Sequence, residues 1–363
     1  MDSIFTSATV ASESLEVTAP RTRAYRLEFT GSSSEYFRIW IVNVFLTLIT
    51  LGIYAAWAKV RTRRYFYAHT LLDGHPFEYH GNPRAILKGN LIVGLGVIIY
   101  YAVQQVRPEI SLALFAVGYC VFPWLVFQSL RFMASNSSYR NIHFRFHGTL
   151  GMSYINYFLL PICSPFTLGL LAPYTAFKQR DYVFGNAAYG TTRSRFGGES
   201  GPFYSVYLAA YGVFFGLSIV VGVVLAVQLA PMFSRGSFDP SLVYWVLIPV
   251  YGALLLIFTL VQQYIYARLA NYTWANTHVP GMKFVSVLSA TELVKIRLTN
   301  LIAIILSLGL LSPWAKVRFT QYVLGGLSIV ATSDLESFTA DVNAEANALG
   351  DAATDFLNID LGL

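Results

Sequence analysis

Charge is scarce in this chain. Only 12% of its 363 residues are Asp, Glu, Lys or Arg, against about 25% in an ordinary soluble domain. Cysteine is nearly absent. Cys120 and Cys163 both lie inside apolar runs, which speaks against a disulfide framework and suits two small apolar fillers. Carboxylates are almost missing from the apolar segments, and proton-driven pumps depend on such groups. No P-loop, dinucleotide fingerprint, zinc-ligand spacing or nucleophile elbow occurs, so neither an enzyme nor a cofactor is expected. Residues 1–24 are polar and mixed, without the basic start and apolar stretch of a signal peptide. They read as a disordered segment, and the apolar runs are expected to stay in the mature protein.

What the chain has instead is apolar length. Apolar residues make up 55% and aromatics 16%. Seven apolar segments stand out, at 37–57, 86–106, 110–132, 151–173, 203–231, 241–267 and 293–314. The second, third, fifth and sixth read as full spans, since a helix crosses a bilayer in about 20 residues. The net charge of +6 is uneven. No Lys or Arg follows Arg318, and the tail 334–363 carries seven acids, from Asp334 to Asp360. A basic membrane protein of this kind owes its charge to cytoplasmic loops, so nucleic acid is not expected as a partner. The tail is a candidate for recruiting a protein partner, and its closing "FLNIDLGL" alternates as a strand would.

The first, fourth and seventh segments resemble one another. At an offset of 257, Glu35 falls on Glu292, Arg38 on Lys295, Asn43 on Asn300, Gly52 on Gly309, Trp57 on Trp314, Lys59 on Lys316, Arg61 on Arg318 and Tyr65 on Tyr322. The fourth aligns more loosely, with Gly169 opposite Gly52, Tyr174 opposite Trp57, Tyr182 opposite Tyr65, and an insertion around Pro161 and Pro165. A fixed offset across such positions is a repeat signal. Short turn-bounded alternating stretches, such as "LDGHPFEYHG", flank each copy and read as β-hairpins. The layout is then repeat A (25–138), repeat B (139–270), half repeat C (271–333) and the acidic tail (334–363).

Basic loops at 59–88, 131–150 and 174–202 place the hairpins and the N-terminus in the cytoplasm by the positive-inside rule. Similar basic hairpins then stand at both ends of each repeated segment. Either these segments enter the membrane and return, or one hairpin of each pair lies outside. Gly52, Gly169 and Gly309, with Pro173 and Pro313 after the latter two, interrupt the helices and favour the first layout; the second gives seven spans with inverted repeats.

"YRLEFTGSSSEYFRIWIVN", "LTLITLGIYAAWAKVRTRRYFY", "LDGHPFEYHG", "LSPWAKVR" and "IDLGL" together resemble the YjgN-type bacterial inner-membrane family, which is defined by a domain of unknown function. The resemblance runs from about residue 25 to the end. It implies a multi-pass protein of a bacterial cytoplasmic membrane and brings no activity and no catalytic residues.

Candidate sites follow from the residues alone. Asn43, Asn156 and Asn300, with Gly52, Gly169 and Gly309, are candidates for a polar path; the plainer role for the amides is hydrogen bonding between helices. Trp57, Lys59, Arg61, Tyr174, Lys178, Trp314, Lys316 and Arg318 form an aromatic-then-basic pattern suited to lipid headgroups. His69, His75, His80, His143, His147 and His278 lie in or near hairpins, with Asp73 and Glu78 among the first three, but their spacing matches no metal site and favours wetted surface histidines. Glu35 with Arg38, and Glu292 with Lys295, read as surface ion pairs.

The expected fold is an all-α polytopic membrane protein with internal repeats. It has four full spans, three repeated re-entrant or spanning segments and small cytoplasmic β-hairpins, and it is open to homo-oligomers. The expected function is passage of a small solute, an ion or a lipid-like molecule. The alternative is a non-transporting scaffold that recruits a partner protein through its hairpins and tail.

Overall fold

A computed structural model describes residues 23–234 and 240–331. Its chain alternates strand pairs with helix pairs. Strand β1 (Arg23–Phe29) leads to α1 (Ser33–Ile49), a turn, and α2 (Ala55–Ala68), which returns to the hairpin β2 (Thr70–Leu72) and β3 (His75–Tyr79). Helices α3 (Pro83–Val106) and α4 (Pro108–Ser135) follow, then β4 (Ser137–Tyr139) and β5 (Ile142–Phe146). The third pair climbs through α5 (Leu150–Tyr154), a π-helical turn (Ile155–Leu159), α6 (Leu160–Cys163) and a 3-10 turn (Pro165–Thr167), and descends through α7 (Ala172–Phe184). Next come β6 (Ala187–Tyr189), β7 (Thr192–Arg193) and β8 (Arg195–Phe196), then α8 (Gly201–Ser234) and α9 (Pro240–Ala275). The hairpin β9 (Thr277–Val279) and β10 (Met282–Ser286) precedes α10 (Ala290–Leu306), α11 (Ser312–Gly325) and β11 (Leu327–Ala331).

The helix starts are written locally. Ser32, Asn82, Thr149 and Ser289 each accept a backbone N–H of the first turn, from Glu35, Arg84, Met152 and Glu292. Pro83, Pro108, Pro173 and Pro313 sit in first turns, where a missing N–H costs nothing. Among the described residues, four helices are long and apolar enough to cross a membrane: Pro83–Val106, Pro108–Ser135, and the stretches Gly201–Gln228 and Ile248–Ala275 within α8 and α9.

The strands form one antiparallel sheet in the order β7-β6-β5-β4-β3-β2-β1-β11-β10-β9-β8. Its two ends, β7 and β8, are neighbours in the chain on either side of Ser194. Arg193 pairs with Ala188 of β6, and Arg195 pairs with His278 of β9. The Ser194 N–H donates to the Ala187 carbonyl at 2.9 Å, and the Gly197 N–H to the Asn276 carbonyl at 2.8 Å. The sheet therefore comes round to near closure through the chain between β7 and β8, and β1 pairs with β2 on one side and with β11 on the other.

Tyr25, Leu27, Leu72, Tyr139, Ile329 and Ala331 form one buried cluster, with Phe77, Phe144, Tyr189, Met282 and Phe284 packed on it. These residues come from an unbroken run of neighbouring strands, from β6 through β1 to β10, and so share one face of the curved sheet, which aromatic and aliphatic side chains cover. Tyr139 Oη donates to the Leu72 carbonyl at 2.8 Å, and Tyr189 Oη to the Tyr139 carbonyl at 2.9 Å.

Each helix pair rises from this sheet and comes back to it. Tyr65 Oη, at the end of α2, donates to the Ser32 carbonyl at the start of α1 (2.9 Å). Tyr182 does the same to Thr149 (3.0 Å), and Tyr322 Oη accepts from the Ser289 N–H (2.9 Å). Tyr272 Oη accepts from the Glu199 N–H at the foot of α8 (2.8 Å). Neighbouring pairs touch in chain order, and α1 packs on α11 to close a ring of helices above the ring of strands.

Three expectations change here. The protein is not all-α: its hairpins join into a sheet of eleven strands. Segments 37–57, 151–173 and 293–314 each contain a reversing turn, at the glycines that sequence reading took as helix interruptions. The fourth segment has no insertion, since Ser32 to Leu51, Thr149 to Leu168 and Ser289 to Leu308 each span 19 positions. The loose match around Pro161 and Pro165 reflects a π-helical and 3-10 path of unchanged length. Strand β1 already starts at Arg23, inside the segment expected to be disordered. Residues 1–22, the acidic tail and "FLNIDLGL" lie outside the described residues.

Candidate functional site

The three reversing turns are alike atom by atom. Leu51, Leu168 and Leu308 have φ of 50°, 51° and 50°, and Gly52, Gly169 and Gly309 have φ of 91°, 82° and 92°. The glycine N–H donates back five residues, to Thr47, Ser164 and Ile304, at 2.8, 3.0 and 2.8 Å. The hydroxyls of Thr50, Thr167 and Ser307 accept the N–H of Tyr54, Leu171 and Leu311, at 2.9, 3.0 and 3.0 Å, and so cap the returning helix. A left-handed leucine costs about 1–2 kcal/mol, which these bonds offset. Sequence reading found the glycines and missed the leucines, although "TLG", "TLG" and "SLG" stand in the chain. A Cβ added at Gly52 or Gly309 meets no atom within 4 Å, so those glycines serve their φ and not a close approach.

Leu51, Leu168 and Leu308 are each 94% exposed. Ile49, Ile53, Phe166, Leu170, Leu306 and Leu310 beside them are exposed as well. Below each apolar tip the returning helix carries its cations. Lys59 and Lys316 stand seven positions after their turn glycines and Lys178 nine, which at 1.5 Å per residue is about 10–14 Å. Lys316 Nζ reaches down to the Tyr36 and Phe66 rings (5.4 and 4.7 Å) and to Tyr36 Oη (3.4 Å). Lys178 lies 5.8 Å from the Tyr174 ring and 3.7 Å from Asp181. Arg318 lies 5.2 Å from the Trp314 ring and donates to Thr299 Oγ1 at 2.6 Å. Trp57 stacks on Tyr54 at 6.2 Å. Arg61 is exposed on α2. Burial first, and Arg63 second, hold the Lys59 ammonium below its usual range.

The three asparagines are buried, at 5, 7 and 5% exposure for Asn43, Asn156 and Asn300. They are not equivalent. Asn43 and Asn300 stand eleven positions after their N-caps and Asn156 seven, one turn nearer the sheet. Asn300 Nδ2 donates to the Ala315 carbonyl (3.0 Å), and its Oδ1 accepts from Arg318 (3.3 Å), within one helix pair. The Asn156 backbone carbonyl accepts from Gln179 at 3.1 Å. Both amide atoms of Asn43 are buried without a partner.

The histidines sit around the sheet. His80 Nε2 lies 2.8 Å from Ser138 Oγ and 3.2 Å from Glu78, and its ring is 5.3 Å from His143. His75 Nδ1 lies 3.0 Å from Arg140, which is 3.6 Å from Asp73. Glu35 faces Tyr65 Oη (3.4 Å) and His69 (3.8 Å), while Glu292 and Lys295 pair at 2.7 Å. His278 borders Gly197, and no cluster of three or more metal-binding side chains occurs among the described residues.

Burial, then Arg193 and Arg145, hold the His147 imidazole below its ordinary 6.5. The unfolded chain therefore takes up this proton before the folded one does, and stability falls as pH drops through about 6.5. The expected result is that His147→Gln flattens the loss of melting temperature between pH 7 and 5. Thermal unfolding of the detergent-solubilised protein at both pH values checks it.

A family model described as "Bacterial protein of unknown function (DUF898)" matches residues 24–356. Inner membrane protein YjgN of Salmonella typhimurium is 33% identical over 139 residues, 38% of this chain and 35% of that protein. Inner membrane protein YjgN of Escherichia coli K12 is 34% identical over 152 residues, 39% of this chain and 36% of that protein. The matched stretch thus spans about a third of each relative. No solved structure matches. A family match over most of the chain, relatives named as inner membrane proteins and four helices fit to span a bilayer lead to one conclusion: the chain belongs to the family of bacterial membrane proteins of unknown function described as DUF898.

Proposed function

We propose that this is a non-enzymatic, multi-pass inner-membrane protein that handles lipid-like molecules at the cytoplasmic leaflet. In this reading α3–α4 and α8–α9 cross the bilayer, and the three short pairs are internal repeats that enter and return. The observation that carries it is the set of three leucine tips, each 94% exposed, above a layer of cations and aromatic rings. An apolar tip of about 10–14 Å reaches less than half of a hydrocarbon core of about 30 Å. Tips of this height sit among acyl chains with their cations at headgroup level. Two further points support the layout. A hydrogen-bonded sheet cannot straddle a bilayer, so both feet of every helix pair belong on one side. The basic loops assign that side to the cytoplasm.

The aromatic and aliphatic cluster that covers one face of the sheet offers no polar lining for a solute path there. Movement along the flanks of the short pairs, where apolar tip and cation alternate, suits an amphipathic molecule better. Asn300 then works as a bond between helices. The scaffold reading rests on the acidic tail, which lies outside the described residues.

Spin labels test this. With Cys120 and Cys163 replaced, labels at Leu51→Cys, Leu168→Cys and Leu308→Cys in liposomes are expected to meet dissolved oxygen more readily than an aqueous nickel relaxant. Transfer of fluorescent phospholipid between leaflets is expected to fall in Leu51→Asp/Leu168→Asp/Leu308→Asp. Tips that see mainly the nickel reagent sink the reading.

A further inference from the structure

A line of cations crosses one face of the sheet. Arg145 of β5 stands opposite Ala188 of β6, and Ala188 opposite Arg193 of β7. Past Ser194, Arg195 of β8 stands opposite His278 of β9, His278 opposite Lys283 of β10, and Lys283 opposite Val330 of β11. Phe144, Met282 and Phe284, the chain neighbours of Arg145 and Lys283, belong to the aromatic and aliphatic cluster. Strand alternation therefore puts Arg145 and Lys283 on the other face. Arg145, Arg193, Arg195, His278 and Lys283 are all exposed. Among the described residues Arg145, Arg193, Arg195 and Lys283 form no ion pair.

Like charges side by side on a sheet repel. Here Ala188 and His278 separate the cations across the strands, at spacings of about 7–10 Å along the line. That is within about one Debye length, so their fields add. No carboxylate dilutes the line. The strands and hairpin turns at 137–146, 187–196, 277–286 and 327–331, which hold β4 to β11, contain no Asp or Glu. Glu199 follows β8 at the foot of α8, where its N–H meets Tyr272 Oη. Beyond β11 on the other side the sign is mixed: Glu28, Asp73 and Glu78 stand on β1 to β3 with Arg23 and Arg26.

The chain itself supplies the complement. Val330, the last member of the line, is one residue before the end of β11. The tail 334–363 follows, with seven acids and no Lys or Arg. Strand β7 is four strand spacings from β11 and β5 is six, about 19 and 29 Å. The stretch from Asp334 to Asp360 can extend over about 85 Å. The family match to residue 356 takes in six of the seven acids, so the acidic stretch belongs to the family pattern. Tethering at the edge of the line gives these carboxylates an effective concentration in the millimolar range, which a free anion has to exceed.

We infer that the acidic tail folds back along this line, with its carboxylates against Lys283, Arg195, Arg193 and Arg145 in turn. The tail then neutralises a face that would otherwise draw anionic partners.

The test joins amines to carboxylates with a zero-length carbodiimide, in the full chain in phosphatidylcholine nanodiscs, and reads the products by peptide mass spectrometry. Arg145→Lys and Arg193→Lys keep the charge and supply an amine far from the root of the tail. Each is expected to link to tail acids beyond Glu336 at least about tenfold more than Lys88 does, a factor that several weak exposed pairs together supply. Lys88 is exposed at the foot of α3, off the line. A second readout is cleavage after Glu345 by a glutamate-specific protease. It is expected to quicken about eightfold in Arg145→Gln/Arg193→Gln/Arg195→Gln, about twofold for each exposed pair lost. Salt at 1 M is expected to do the same to the unaltered chain, which guards against a misfolded variant. Lys88→Gln is expected to leave the rate unchanged. Links no more frequent than at Lys88, or unchanged cleavage in the triple variant, overturn the inference. Links between isotopically heavy and light chains overturn it by assigning the tail to a second copy. Links lost in phosphatidylglycerol nanodiscs overturn it by assigning the face to anionic lipid.

Discussion

Tyr139→Ala is expected to destabilise the protein by about 3–5 kcal/mol, the cost of removing a buried aromatic ring and leaving its cavity. Tyr139 is 3% exposed within the cluster on the face of the sheet, 4.8 Å from the Phe77 ring and 6.3 Å from the Tyr189 ring. Tyr139→Phe keeps the ring and deprives the Leu72 carbonyl of its donor, for about 1 kcal/mol. The two substitutions separate packing from hydrogen bonding. Burial also pushes the Tyr139 phenol up to about 12, with Arg140 opposing the shift and Asp73 adding to it. The unfolded chain then loses this proton first, so stability declines as pH rises above the ordinary value of 10. Tyr139→Phe is expected to soften that alkaline decline. Thermal melting and protease resistance of the solubilised protein, at pH 7 and 10.5, read all three effects. A Tyr139→Ala variant as stable as the wild type would mean that this cluster is not a packed core.

The second large effect is all-or-none. Cysteines placed at His75 and Arg193, in a chain without Cys120 and Cys163, are expected to react with a membrane-impermeant thiol reagent only after the cytoplasmic face is exposed. The two positions belong to hairpins on either side of two helix pairs, and they are linked through β3, β4, β5, β6 and β7 of a single sheet. A seven-pass layout with inverted repeats puts neighbouring hairpins on opposite faces. One sheet forbids that, because its ladder would have to pass through hydrocarbon. Labelling of either position in intact spheroplasts would refute the one-sided arrangement.

How much of this was legible beforehand differs from element to element. The spans 86–106, 110–132, 203–231 and 241–267 fall within α3, α4, α8 and α9, because the length of an apolar run is a local property. Gly52, Gly169 and Gly309 were found by comparing the chain with itself, and they lie in the turns. Asn156 was misaligned by the insertion assumed around Pro161 and Pro165; with the residue count unchanged it stands one turn nearer the sheet than Asn43 and Asn300.

The sequence by itself determined that the chain is a membrane protein, where its helices start and turn, and where short hairpins form. Those outcomes depend on residues within one or two turns of each other. The pairing of β1 with β11, with Arg23 opposite Ala331, and the aromatic cluster that joins β3, β4, β5 and β6 were decided by tertiary structure alone. They are set by strand register between residues tens to hundreds of positions apart, and no local pattern encodes which of those distant surfaces will meet.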